Sequence, residues 1–328
     1  MPTSARVSMA MVAQRAGVSG QTVSRVANGS PRVDPETRAR VERAMAELGY
    51  RPNRAARALR TGRSQTLGLV AQTLATVGNS RMLQAVADAA ASRGYALTVL
   101  TLGADADIAD AFDRLRDQGV DGAIVLNEAT ALARDAASGG LRLVVVDSPP
   151  DERFTVIGTD HASGARAATE HLLRAGHRAV HHLAGPVGSF ASAERERGWR
   201  DALAAAGIAA PEPLRGDWSS ASGHAVTAAL PADATALFAA NDQMALGALR
   251  ALADTGRDVP GDVSVVGFDD VADAAQYLPP LTTVRQDFDA LGAAAVAALV
   301  AAIGGGHGEP LALTPVLVER ASTAPPPV

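Results

Sequence analysis

Gln21 and Arg25 stand four residues apart, a spacing that puts both side chains on one face of a helix. An arginine fork matches guanine O6 and N7, and a glutamine amide matches adenine in the same two-point way, so this pair suits reading base edges in a major groove. Thr22 and Ser24 beside them suit phosphate or methyl contacts, and Ser19 and Asn28 flank the same stretch. A second group lies far along the chain. Asn241 and Asp269 each follow directly on a short apolar run that reads as a buried strand, where a polar side chain meets a ligand rather than the core. Asn241 is equally suited to capping the helix after it. Asp269 is followed by Asp270, and paired acids invite comparison with glycoside hydrolysis, but neighbours on one loop do not straddle a bond. His181 and His182 are consecutive in a strand, face opposite sides and cannot share a metal. No Walker or GxGxxG phosphate loop is present, and there is no cysteine for a disulfide, thiolate site or nucleophile. No catalytic residue, metal or cofactor is expected, and the chain is not read as an enzyme.

The elements that must hold these groups fall into two patterns. Near the start, Ser8 caps a helix over Met9–Ala16, and Gly17-Val18-Ser19 breaks it. A second helix runs from Gly20 to about Ala27 with Ser19 as its N-cap, and its Val23 and Val26 point to the core. Asp34 and Pro35 open a third helix that Gly49 ends after Leu48. Two short helices around a glycine turn, braced by a third, make a helix-turn-helix module. From Gln65 onward, strand and helix alternate. Strands are expected at 66–71, 96–100, 122–126, 141–146, 156–158, 179–184, 236–240 and 263–268, and helices at about 80–93, 107–118, 162–175, 191–206, 220–229, 242–254 and 288–303. This reads as α/β, with doubly wound parallel sheets divided between two lobes. The closing Ala-Pro-Pro-Pro-Val reads as a frayed tail.

Charge divides the same way. Residues 1–63 carry 12 arginines against four acids, a net +8, and the remainder carries −13. A basic head on an acidic body suits a phosphate-binding module joined to a ligand-binding one. No apolar run of about 18 residues could span a bilayer, and the N-terminus has no signal-peptide core, so a cytoplasmic protein without membrane attachment is expected. Residues 50–63 hold a short alanine- and arginine-rich run, too brief to be helical alone in water, that would fold against a partner or DNA.

VAQRAGVSGQTVSRVANG, with VDPETRARVERAMAELGYRPNRAARAL after it, resembles the DNA-binding head of the LacI/GalR family of bacterial repressors. TEHLLRAGHR, GPVGSFASAERERGW, GDWSSASG, ANDQMALGALRAL and DVSVVGFDD…YLPPLTTVRQDF extend the resemblance over roughly residues 5–320. It implies a head at 1–49, a hinge at 50–63 and, at 64–328, a body like periplasmic sugar-binding proteins. That body divides into an N-lobe at about 64–161 and 287–314 and a C-lobe at about 162–286 and 315–322. Gln21 and Arg25 match the base-reading pair. Leu59 matches the hinge leucine that wedges into the minor groove, with Asn53, Ala56 and Arg57 beside it. Arg195, Trp218, Asn241, Asp269 and Phe288 match effector-contacting positions, and Gln286 lies close by. Their chemistry agrees: Asp accepts hydroxyls, Arg donates a fork and Trp offers a flat face to a sugar ring.

The resemblance therefore implies a homodimeric repressor on palindromic double-stranded operator DNA, released by a sugar, a galactoside or related saccharide, bound between the lobes. The alternative is a corepressor-dependent regulator of the same fold that answers to a ligand such as a purine. Four residues depart from relatives: Met11 replaces a common acid, Ala10 and Gly20 stand where a known member has tyrosines, and Ala191 replaces an effector-loop serine. An acid near Asp160, His161 and Ser163 is also expected at the cleft. No heptad-rich helix follows the body, so a dimer is expected rather than a tetramer.

Overall fold

The computed structural model describes residues 7–27, 29–50, 62–103, 107–127, 129–135 and 139–327. It separates into two compact units, Met1–Ser64 and Gln65–Val328.

In the first unit, α1 (Met9–Ala16), α2 (Gly20–Ala27) and α3 (Pro35–Leu48) enclose a small core of Val12, Ala13, Ala16, Val23, Val26, Val41 and Ala44. Their ends are set locally. Ser8 Oγ accepts from the Met11 amide at 3.3 Å, Ser19 Oγ from Thr22 at 3.1 Å, and Asp34 from Thr37 at 2.9 Å. Gly17 and Gly49 close α1 and α3 at φ of 66° and 65°, a left-handed conformation that glycine adopts without strain.

The second unit holds two six-stranded sheets. The first uses β1 (Thr66–Ala71), β2 (Ala96–Thr101), β3 (Gly122–Leu126), β4 (Arg142–Val146), β5 (Thr155–Thr159) and, near the end of the chain, β11 (Leu311–Leu313), in the order β11-β5-β4-β3-β1-β2 and parallel throughout. The second uses β6 (His181–Ala184), β7 (Leu214–Arg215), β8 (Ala236–Ala239), β9 (Ser264–Asp269), β10 (Thr282–Arg285) and β12 (Val316–Val318), in the order β12-β10-β9-β8-β6-β7, with only β12 antiparallel. Helices cover both faces, which is why β3, β8 and β9 are buried end to end and read as unbroken apolar runs. On the first sheet, α4 (Val77–Ser92) and α11 (Phe288–Ile303) pack on one face, and α5 (Ile108–Asp117) with α6 (Ala129–Asp135) on the other. On the second, α7 (His161–Arg174) and α8 (Phe190–Ala205) cover one face, and α9 (Ser220–Thr227) and α10 (Asp242–Asp254) the other. The chain passes between the sheets after β5, after β10 and after β11. The body is thus the expected pair of doubly wound α/β lobes.

Several elements went unread. β10 is Thr-Thr-Val-Arg, too polar to resemble a central strand, yet both threonines are fully buried because each hydroxyl has a partner. β7, β11 and β12 are two or three residues long at sheet edges, and α4 starts three residues earlier than its apolar pattern. The expected frayed tail is a correction. The Ala324 carbonyl accepts from Ser264 Oγ and lies 3.0 Å from His177 Nε2, and the Ala324 amide donates back to Ser264. Backbone groups that a free tail would leave to water are spent here against the second lobe.

Two features of this packing are open to measurement. A Cβ on Gly198 would fall inside the van der Waals envelope of the Ala162 carbonyl, so α7 and α8 approach only because residue 198 is glycine. Gly198→Ala should cost about 1–3 kcal/mol, read as a lower urea midpoint. Asp242 is fully buried at the start of α10, accepting from Thr283 Oγ1 at 2.5 Å and the Val271 amide at 2.8 Å. Burial, and then the neighbouring Asp269 charge, push its carboxyl up to about 8. The folded state therefore favours the protonated acid, and the stability this group contributes is lost as pH rises toward 8. Asp242→Asn, an isostere of the protonated form, should flatten the decline in Tm between about pH 5 and pH 9. An unchanged slope would show that other groups set it.

Candidate functional site

On the head, α2 buries Val23 and Val26 and turns Gln21 and Arg25 to solvent, with Thr22 and Ser24 half-buried between them. Ser19 Oγ is 3.0 Å from Thr22 Oγ1 as well as capping its amide, so it orders the first turn of that face. Asn28, Asn53, Ala56, Arg57 and Leu59 lie outside the described residues.

In the body, the strand ends of both lobes converge on one cavity that is open to solvent. All six expected effector residues line it: Arg195, Trp218, Asn241, Asp269, Gln286 and Phe288. Six non-glycine residues among those described have positive φ, and Asn127, Asp147, Trp218 and Asp269 of these six line this cavity. Backbone strain of this kind persists where surrounding structure holds a side chain in place for a purpose.

The buried polar groups form a closed ring across the lobes. Asp147, just past β4, accepts the Thr159 amide on Oδ1 at 3.1 Å. Thr159 Oγ1 donates to Gln286 Oε1 at 2.7 Å, and Gln286 Nε2 donates to Asp269 Oδ1 at 2.7 Å. Arg195 lies 3.5 Å from the same Asp269 oxygen and directs Nε and a terminal nitrogen at His161 Nδ1, at 3.4 and 3.3 Å. His161 Nε2 returns to Asp147 Oδ1 at 3.1 Å. The Arg195 guanidinium also lies over the Phe268 ring, 3.9 Å from its centroid, and 5.5 Å from that of Trp218, and donates to the Ala240 carbonyl. Burial raises the Asp147 carboxyl, but His161, the Thr159 amide and Arg195 outweigh it and hold the group below its ordinary value. At Asp269 burial prevails over Arg195 and raises the carboxyl.

Asn241 caps a helix, one of the two readings made of it, and lines the cavity. Its Oδ1 caps α10 through the Met244 amide at 2.9 Å, and its Nδ2 donates to the Trp218 carbonyl at 3.0 Å. Trp218 in turn lies flat on Gly185, where any Cβ would strike the indole. Trp199, by contrast, is a core residue, wholly buried with Nε1 donating to Val180 at 2.9 Å.

Apart from Phe288, the first lobe's contribution was not read in advance. Thr76, Gly78, Asn79, Met82, Asn127 and Asp147 all line the cavity. The acid sought near Asp160 is Asp147, since Asp160 caps α7 through the Ser163 amide at 3.0 Å. The signal was available: Asp147 ends the run Leu-Arg-Leu-Val-Val-Val, as Asp269 ends its own strand. Asn127 was signalled likewise by Gly-Ala-Ile-Val-Leu. Its Nδ2 donates to Asn79 Oδ1, while its own Oδ1 is buried with no partner. No group of three His, Asp or Glu that could hold a metal occurs among the described residues, and no helix there is long and apolar enough to cross a membrane.

Comparison with known proteins covers both units. The model for bacterial regulatory proteins of the lacI family matches residues 8–53, and one for a periplasmic binding protein-like domain matches residues 169–323. The lactose operon repressor of Escherichia coli K12 is 38% identical over 96% of this chain and 90% of its own. The transcriptional repressor PurR of Pasteurella multocida is 33% identical over 88% and 89%. A crystal structure of the lac repressor dimer bound to operator and the anti-inducer ONPF superposes with a TM-score of 0.85 at 36% identity, covering 97% of this chain and 99% of that one. The transcriptional regulator CelR in complex with cellobiose does so with a TM-score of 0.74 at 36% identity, over 97% and 100%. Helix-turn-helix head, two-lobed body and near full-length identity agree, and the chain belongs to the lacI family of bacterial regulatory proteins.

Proposed function

We propose that this protein is a cytoplasmic transcriptional repressor that binds a palindromic operator as a homodimer and is released by a neutral saccharide held between its lobes. The observation that carries the saccharide is the balance of hydrogen-bonding capacity in the cavity. Asp147 and Asp269 each commit Oδ1 to the buried ring, and neither Oδ2 takes part in a hydrogen bond. Asn127 Oδ1 is a third unspent acceptor. Surplus acceptors require a ligand rich in donors, which a polyol is, and two carboxylates against one guanidinium among the described lining residues disfavour a phosphorylated or acidic one. Trp218 and Phe288 supply apolar faces for the ring of such a ligand.

The operator reading rests on the solvent-facing Gln21 and Arg25, the net +8 of residues 1–63 and the operator in the lac repressor structure. Pairing with a second copy rests on the similar lac repressor, which is a dimer. A galactoside or the cellobiose seen with CelR is the reference saccharide, and PurR as a relative makes a purine the competing class.

Trp199 and Trp218 are the only tryptophans, and only Trp218 lines the cavity. Titration with galactosides, cellobiose and purines should give a saturable fluorescence change with a saccharide that is lost in Trp218→Phe. Response to a purine alone would transfer the site to the other class. Operator gel-shifts with the responding compound then give the sign: release marks an inducer, tightening a corepressor. Arg25→Ala should weaken operator binding about tenfold to a hundredfold and relax preference at a single base position. Equal losses on operator and random DNA would instead make Arg25 a phosphate contact.

A further inference from the structure

His161, like Thr159, belongs to the buried ring without lining the cavity. Its side chain is fully buried, yet it touches two groups that do. It begins α7 on the second lobe, while Asp147 ends β4 on the first, so the 3.1 Å contact between them crosses the lobes. Arg195 aims two nitrogens at Nδ1. An arginine only donates, so Nδ1 must offer its lone pair and the ring proton sits on Nε2, toward the Asp147 carboxylate. That approach falls short of the alignment of a full hydrogen bond, so its strength is electrostatic and depends on how near the first lobe brings Asp147. The groups facing the ring are Asp147 from the end of β4, Arg195 from α8, Asp269 from the end of β9 and the apolar Phe268 ring, 5.9 Å between centroids. Asp160, next in its own element, is turned to the helix cap.

We propose that His161 is a positioning residue for the effector site, which as Nε2–H imidazole sets Arg195 and Asp147 in the arrangement that grips a neutral saccharide, and whose second protonation loosens that grip. This rests on the saccharide reading above. A proton on Nδ1 removes the acceptor for Arg195 and places a cation against the guanidinium. Arg195 then shifts relative to Asp269, and the oxygens offered to the ligand move with it. Ligand affinity therefore falls when that proton is added.

Full-length protein, wild type, His161→Gln and His161→Leu, is titrated with cellobiose and with methyl galactoside from about pH 8 to about pH 5.5. Glutamine donates and accepts at the matching ends without titrating. Its affinity should stay within about threefold of wild type at pH 8, while leucine loses about tenfold or more. The wild-type decline in affinity toward acid should flatten in the glutamine variant, which leaves only the contribution of the raised Asp269 carboxyl in place. A glutamine variant with the wild-type pH profile overturns the proposal, as does a leucine variant with wild-type affinity.

Nitrogen NMR of ring-labelled histidine and of Arg195 Nε needs no ligand. The expected spectrum has a neutral His161 protonated at Nε2 and an Arg195 signal that moves in His161→Leu but not in His161→Gln. A proton on Nδ1 at neutral pH, or an Arg195 signal unmoved by leucine, overturns the proposal even if no sugar binds. Failure of both sugars on wild type, with these signals as expected, removes the saccharide reading and leaves the positioning role standing.

Discussion

A fully buried guanidinium organises the body of this protein. An uncompensated charge in such a place is costly, so Arg195 compels its surroundings to answer it. They answer from four directions: the Ala240 carbonyl, His161, Asp269 and the face of Phe268. Asp269 then needs a donor, which Gln286 supplies from the segment between β10 and α11, and Gln286 is held by Thr159 at the end of β5. Two of the three passages between the lobes are thereby written into one polar ring. Displacing any member disturbs a group whose alternative is an unpaired charge in a low-dielectric site.

On the proposed function, that arrangement would couple a bound ligand to the angle between the lobes. A ligand shifts an equilibrium only by the difference in its affinity for the two states. Here the oxygens left for the ligand belong to the carboxylates that close the ring, Asp147 on the first lobe and Asp269 on the second. A ligand spanning both is sensitive to their separation, so lobe angle and occupancy are linked through the same atoms. The strained turns at Asn127, Asp147, Trp218 and Asp269 fix side chains that would otherwise wander, which keeps the entropic cost of binding low.

The head works on a different economy. Its core is seven small or branched aliphatic side chains, and its helices owe their limits to caps as much as to packing. Caps of this kind contribute about 0.5–2 kcal/mol each, a large share for so small a core. Rigid presentation of one polar face of α2 is what a groove-reading helix needs, and three short helices suffice for it.

Much was legible in advance because it is local. Ser8, Ser19, Asp34 and the glycines at 17 and 49 mark helix ends by bonds to residues three or four away, and unbroken apolar runs mark strands covered on both faces. Asn241 and Asp269 were readable by the same logic, and Asp147 and Asn127 obeyed it unnoticed. What the chain alone determined is this succession of elements and the polar residue at the end of each. What only the tertiary structure decided is which of those residues meet. Asp160, His161 and Ser163 share one short stretch of sequence, yet His161 turns into the buried ring while Asp160 caps the helix and Ser163 donates to Asp160. Thr282 and Thr283 look like loop and lie in a strand paired on both sides. The physical reason is common to all of them: a polar side chain takes its role from partners distant in sequence, and those partners exist only once the lobes have folded.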